Sequence, residues 1–314
     1  MAFRHRSQSE VDLSTTVGSL TLRNPVMTAS GTAGHGDELG AYVDLDSLGA
    51  VVVKSLSAEP WAGNAAPRVH ETPAGMLNSV GLQGPGVQKW LEEELPAVLA
   101  TGATVVASIW GSTIEDYERA ATMLRDAPAG VVAVEVNVSC PNHHDRNRMF
   151  AHSPEQTADA LRAASVCGRP MWAKLSPNVS DLASIAAAAH NAGADAVTLV
   201  NTVLGMAIDP ETRTYRLGGG GGGLSGPAIH PVAVRAVHDV HAAHPEIPII
   251  GVGGVARGVD AIELLMAGAS AVQVGTASFA DPKSVARVLA EIQEWCGSHG
   301  VREVRELIGV VHGR

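Results

Sequence analysis

The chain has 314 residues, 46% of them hydrophobic and 17% charged, with a formal net charge of −10. Common domain sizes would make that about two domains, but an α/β barrel absorbs the same length as one unit and buries a large core without staples. Three cysteines are too few for a disulfide framework or a four-thiolate iron–sulfur cluster, and an acidic chain without Lys/Arg clusters argues against a nucleic-acid partner.

The opening MAFRHRSQSEVDLSTT has basic residues with no apolar stretch behind them, so it does not read as a secretory signal. No apolar run reaches the roughly 18 residues of a membrane span. A soluble cytoplasmic enzyme is the expectation. Segments 13–17 and 20–22 flank Gly18-Ser19 and predict a hairpin. Short β-branched runs follow at 25–30, 50–55, 105–110, 131–139, 171–176, 196–202, 249–254 and 271–277. They are continuously apolar rather than alternating, as strands covered on both faces should be.

Helical patterns lie between these runs. Ser112 with Glu115 predicts a capping box, and Ser153, Pro154 and Gln156 open a helix toward Cys167. Asp181 starts a run that stops at Gly193, and the pattern at 257–267 stops at Gly268. Eight interleaved strands and helices predict a (β/α)8 TIM barrel spanning 1–314 as one domain, with the hairpin at its bottom. Active sites of such barrels lie at the C-terminal ends of the strands. The long loops 56–86, 140–152 and 203–229 are therefore candidate functional segments.

Reading the strand ends in order gives Ser30-Gly31, Lys54-Ser55, Ser108, Asn137 with Cys140, Lys174, Asn201-Thr202, Gly253-Gly254 and Gly275-Thr276. Glycine pairs after strands seven and eight suit a phosphate, although turns need glycine as well. A buried lysine needs a negative partner, so Lys54 and Lys174 either pair with carboxylates or serve an anionic ligand, a reduced cofactor or a Schiff base. Cys140 is either a small apolar residue or a catalytic thiol, whereas Cys167 and Cys296 fall on helical patterns and read as packing residues. His143-His144 are adjacent, and His238, His241 and His244 lack a carboxylate motif, so no metal site is assigned. The run 218–223 is a flexible loop, a lid, or a close approach to a ligand.

The segments MLNSVGLQGPG (76–86), EVNVSCPN (135–142), WAKLSPNV (172–179), LVNTVLGMAID (199–209), GGLSGPAI (222–229), IPIIGVGGV (247–255) and AGASAVQVGTASF (267–279) together resemble the dihydroorotate dehydrogenases. A thiol in NVSCPN, where the membrane-bound class carries serine, resembles class 1. GGLSGPAI and AVQVGTASF are most similar to the class 1B catalytic subunit. The resemblance implies FMN in the barrel mouth and oxidation of (S)-dihydroorotate to orotate in pyrimidine synthesis. It implies Cys140 as the base at C5, with hydride passing from C6 to flavin N5. Lys54, Asn78, Asn137, Asn142, Asn201 and Thr202 would hold the substrate, with backbone contacts from Gly81 and Leu82. Ala29, Ser30, Gly31, Lys54, Ser55, Asn137, Lys174, Val200, Gly226, Gly253, Gly254, Gly275 and Thr276 would hold the flavin, the last four its phosphate. Lys174 would lie near N1.

The chain departs from the family after CPN, where HHDRNRMFAHSP lacks the usual lid glycines. It also departs at His230, where lysine is common, and at Ser108, where asparagine is common. The resemblance further implies a homodimer with an FAD and [2Fe-2S] subunit that reaches NAD+, or fumarate as a direct acceptor. Dihydropyrimidine dehydrogenase-like enzymes share the barrel, FMN and cysteine. A tRNA dihydrouridine synthase would need a basic face that this chain lacks. A flavin-free binding barrel would have no need of the thiol, lysines and amides.

Overall fold

The computed structural model describes residues 11–142 and 148–313. The readings made on the opening ten residues, on His143-His144 and on the centre of the 140–152 loop therefore lie outside the described residues.

The eight apolar runs form strands β1 (Val26–Thr28), β2 (Val51–Val52), β3 (Val105–Ile109), β4 (Val131–Asn137), β5 (Met171–Lys174), β6 (Ala196–Leu199), β7 (Ile249–Val252) and β8 (Ala271–Val274). Each pairs in parallel with its neighbour in the chain, and β8 pairs in parallel with β1. The parallel bridge Met27↔Ala50 joins β1 to the start of β2 and closes the ring. Val, Ile and Ala dominate because helices cover the outside of the barrel while its own side chains fill the inside. The observed strands are shorter than the apolar runs, so Ala29, Lys54, Asn201, Gly253 and Gly275 come just after strand ends, where the loops begin.

Two apolar layers hold the barrel. Outside, the strands pack on helices that include Ile114–Leu124, Pro154–Ala164, Leu182–Asn191, His230–Ala243, Gly258–Ala267 and Ser284–His299, and Cys167 and Cys296 pack there as apolar side chains. Inside, Val17 and Leu22 of the antiparallel hairpin Thr15–Val17/Leu20–Leu22 meet Met27, Val52, Val106, Trp172 and Ile250 from the strands. The hairpin thus plugs the bottom. Gly18 makes its turn at φ +57° and packs against Asp195, where a Cβ would come within 2.7 Å of a carbonyl oxygen.

One cap differs from its sequence reading. The capping box is Thr113 with Asp116, not Ser112 with Glu115. Asp116 accepts from the backbone N–H groups of both Ser112 and Thr113, at 3.0 and 3.1 Å, and Thr113 Oγ1 accepts from Asp116 N at 3.2 Å. The shorter aspartate is the group placed to reach both orphan donors, which shifts the start by one residue. The other caps stand as read: Ser153 Oγ accepts from Gln156 N, Asp181 accepts from Ser184 N, and Gly268 follows the helix Gly258–Ala267.

Loops 56–86 and 203–229 fold together over the mouth. Strands Val203–Met206, Gly221–Ser225, Gly75–Asn78 and Val69–Thr72 make one antiparallel sheet in that order. Of the glycine run, 221–223 therefore lie in the strand Gly221–Ser225, while 218–220 form the turn that leads into it. A Cβ at Gly222 would stand 2.4 Å from the carbonyl oxygen of Asn78, and one at Gly223 would stand 2.0 Å from Thr202 Oγ1. The close approach at Gly222 and Gly223 is to the chain's own Asn78 and Thr202.

Candidate active site

A cavity of about 690 Å³ opens at the C-terminal end of the barrel beneath this sheet, within the usual size of a cofactor site. Its lining includes Ala29, Ser30 and Gly31 after β1, Lys54 and Ser55 after β2, Asn137 at the end of β4, and Lys174 at the end of β5. Val200, Asn201 and Thr202 follow β6; Gly253 and Gly254 follow β7; Gly275 and Thr276 follow β8. The covering sheet and its loops add Asn78, Gly81, Leu82 and Gly226. Asn142 lies on the two-residue strand Pro141–Asn142, which pairs with Arg148–Met149. Among the described residues that line the cavity, Ser139 and Met149 appear and Cys140 does not.

The two lysines differ. Lys174 is buried, with Nζ 3.5 Å from Glu135 Oε1. Lys54 has no carboxylate within ion-pair distance among the described residues, and burial followed by the nearby Arg68 guanidinium depresses its pKa. An ammonium left in this state is stabilised by an anion brought from outside.

Amides and hydroxyls continue from it across the floor. Asn137 Nδ2 donates to Ser55 Oγ at 3.3 Å, Asn201 Nδ2 donates to Asn137 Oδ1 at 3.2 Å, and Thr202 N donates to Asn201 Oδ1 at 2.8 Å. Ser55 Oγ is also 3.1 Å from Ser30 Oγ and 2.9 Å from Ser108 Oγ. Ser108, the departure from asparagine, thus belongs to a buried hydroxyl chain. His230, the departure from lysine, turns its Nδ1 to the carbonyl of Gly253 at 2.8 Å and its Nε2 to Glu263 at 3.1 Å.

The glycines gather elsewhere on the cavity wall. Gly226, Gly253 and Gly254 have φ of +91°, +136° and +70°, and Thr276 Oγ1 donates to Ser225 Oγ at 2.8 Å. The N–H groups of Gly253, Gly254, Gly275 and Thr276 spend no hydrogen bond on an acceptor of the described residues. Four unspent backbone donors after β7 and β8 suit a phosphate, and together with the cavity's size and the lysine they fit a phosphate-bearing, anionic flavin such as FMN.

Cys140 is buried. Its thiol lies 3.4 Å from the carbonyl oxygen of Asn137, which also accepts from the hydroxyl of Tyr117 at 2.8 Å. Burial pushes the thiol far above its ordinary range, against a smaller opposing effect of the Tyr117 hydroxyl. Sequence reasoning passed over three residues that the structure sets against residues of the site. Glu135 is a charge in the middle of the apolar strand VVAVEVN and could have been flagged as needing a partner. Tyr117 sits on a helix with no local sign of its reach. His35 faces a second hollow shared with Lys54, where burial and then that lysine lower its pKa to about 4.

The profile of the family Dihydroorotate dehydrogenase matches residues 12–295. The chain belongs to the dihydroorotate dehydrogenase family. Among curated relatives it is 46% identical, over 96% of this chain and 98% of the other, to the protein of Geobacter sp. (strain M21) named dihydroorotate dehydrogenase B (NAD(+)), catalytic subunit. It is 47% identical, with the same coverage, to the protein of that name from Desulforudis audaxviator. A relative from Solibacter usitatus, 47% identical over 95% of this chain and 98% of its own, is named putative dihydroorotate dehydrogenase A (fumarate). Among the described residues no helix is long and apolar enough to cross a membrane, and no cluster of His, Cys, Asp and Glu is arranged to hold a metal.

Proposed function

We propose that the chain oxidises (S)-dihydroorotate to orotate with FMN in the barrel mouth. The observation that carries this reading is Lys54, a half-buried ammonium with no carboxylate partner among the described residues, in one cavity with Asn78, Asn137 and Asn201. A flat anion with ring amides matches that set, and an apolar analogue would leave it unpaired. FMN, when bound, supplies the two-electron acceptor.

The chain's own residues divide the work. Gly226, Gly253, Gly254, Gly275 and Thr276 would hold the phosphate, and Ala29, Ser30, Gly31, Ser55, Lys174 and Val200 the remainder of the cofactor. Lys54 would neutralise the substrate carboxylate, while Asn78, Asn137, Asn142, Asn201 and Thr202 would orient the ring, with Gly81 and Leu82 adding backbone contacts. Cys140 would take the C5 proton. Its buried thiol holds its own proton tightly, so the thiolate that accepts the substrate proton grows as the pH rises.

Electrons would leave to NAD+ through a separate subunit, in keeping with the NAD(+) and catalytic-subunit names of the Geobacter and Desulforudis relatives, and that subunit would carry FAD and [2Fe-2S], with a homodimer of this chain at the centre. Three free cysteines suit a reducing, cytoplasmic setting. Co-purification of an iron–sulfur partner that confers NAD+ reduction supports this route, whereas turnover of the isolated chain with fumarate would redirect it.

A further inference from the structure

Glu135 touches no part of the cavity, yet every oxygen of its carboxylate is engaged by a residue from a different strand. Oε1 faces Lys174 Nζ of β5 at 3.5 Å and accepts from Ser108 Oγ of β3 at 3.4 Å. Oε2 accepts from Gln273 Nε2 of β8 at 2.8 Å and from Thr198 Oγ1 of β6 at 3.2 Å. The side chain is wholly buried. An ionised carboxylate in such a place is costly unless fully partnered, and four converging partners mean that the barrel is built to keep it. Ser108 also ties it, through Ser55, to Ser30 at the cavity surface.

The consequence falls on the lysines. Lys54 lines the cavity with no carboxylate partner among the described residues, whereas the charge of Lys174 is offset from below. We propose that Glu135 is a positioning residue that fixes the place and the effective charge of Lys174, and thereby sets how strongly the site favours a reduced, anionic flavin. The proposal rests on the FMN reading above. Without Glu135 the floor carries one more net positive charge, so the reduced cofactor is stabilised and its midpoint potential rises.

The test is anaerobic redox titration of the FMN-loaded enzyme against a reference dye. Glu135→Gln should keep FMN and shift the two-electron equilibrium toward reduced flavin by tenfold or more, about 30 mV. In a Lys174→Gln background the lysine through which Glu135 acts is gone, so adding Glu135→Gln should shift the equilibrium by much less than it does in the wild type. If Glu135→Gln fails to fold, Gln273→Met removes the shortest hydrogen bond to the carboxylate, whose charge then offsets Lys174 more fully, and should shift the equilibrium the opposite way, by less. An FMN-bound Glu135→Gln with the wild-type potential, an equal shift with and without Lys174, or an unmoved Gln273→Met would each overturn the proposal. A wild-type chain that takes up no FMN would instead overturn the functional reading beneath it.

Discussion

The hydroxyl of Tyr117 and the thiol of Cys140 converge on one acceptor, the carbonyl oxygen of Asn137, at 2.8 and 3.4 Å. That carbonyl belongs to the last residue of β4, whose side-chain amide lines the cavity. The same residue therefore orients the candidate base from behind and the candidate substrate from in front. Loss of a general base commonly costs roughly 10²–10⁴-fold. Cys140→Ala should retain FMN and reduce it with dihydroorotate slower by that order in stopped-flow absorbance; reduction at the wild-type rate would remove Cys140 from the mechanism. Tyr117→Phe withdraws the one neighbour that favours the thiolate, so its reduction rate should fall at neutral pH and recover partly in alkali.

Opposite pH trends are expected for rate and affinity. Burial raises the Cys140 thiol, so the thiolate grows with pH and the rate of flavin reduction should still be climbing above the ordinary thiol pKa of about 8.5. Burial and Arg68 lower Lys54, so its charged form is lost earlier than for an exposed lysine, and orotate affinity should weaken over the same alkaline range. Lys54→Met should abolish that weakening along with most of the affinity. Orotate titrations of flavin absorbance across pH check both statements, and a flat affinity profile in the wild type would contradict them.

Gly223 has no room for a side chain. Its Cβ would fall 2.0 Å from Thr202 Oγ1 and 2.6 Å from Thr202 Cβ, so the strand or the threonine must move. Gly223→Ala should raise the KM for dihydroorotate well above wild type while FMN content per chain stays unchanged. Equal loss of both would mean that the covering sheet supports the cofactor as much as the substrate.

His35 links the site to acid stability. Its folded pKa is about 4, below the unfolded value of about 6.5, because burial and Lys54 disfavour the imidazolium. The unfolded chain binds the proton first, so stability is fully present above about 6.5 and declines as pH falls toward about 4. His35→Gln should lessen that decline in urea unfolding at successive pH values, and an identical decline in both proteins would assign it to other groups.

The barrel was legible because its strands are short, continuously apolar and regularly spaced, a pattern that parallel strands covered on both faces impose. The plug was legible from Gly18-Ser19 between two apolar segments. The covering sheet was not, because its strands draw on loops far apart in sequence, and Gly221–Ser225 has too few side chains to show any period. Most cavity residues could be read from strand ends, since a residue just past an inward strand has little choice of direction. What distinguished Lys54 from Lys174 was illegible: it depends on which lysine Glu135 can reach across the barrel, and that is set by register between β4 and β5. The shift of the helix cap from Ser112 to Thr113 likewise depends on the three-dimensional reach of Asp116.

The most direct test of the whole account is anaerobic mixing of the purified, FMN-loaded protein with (S)-dihydroorotate while the flavin absorbance is followed, with dihydrouracil as comparison. Rapid bleaching by dihydroorotate, and little by dihydrouracil, is the predicted result, because only the former brings the carboxylate that Lys54 lacks. A flavin that stays oxidised with dihydroorotate, or that bleaches equally with both, would contradict the assignment of Lys54 and of the substrate.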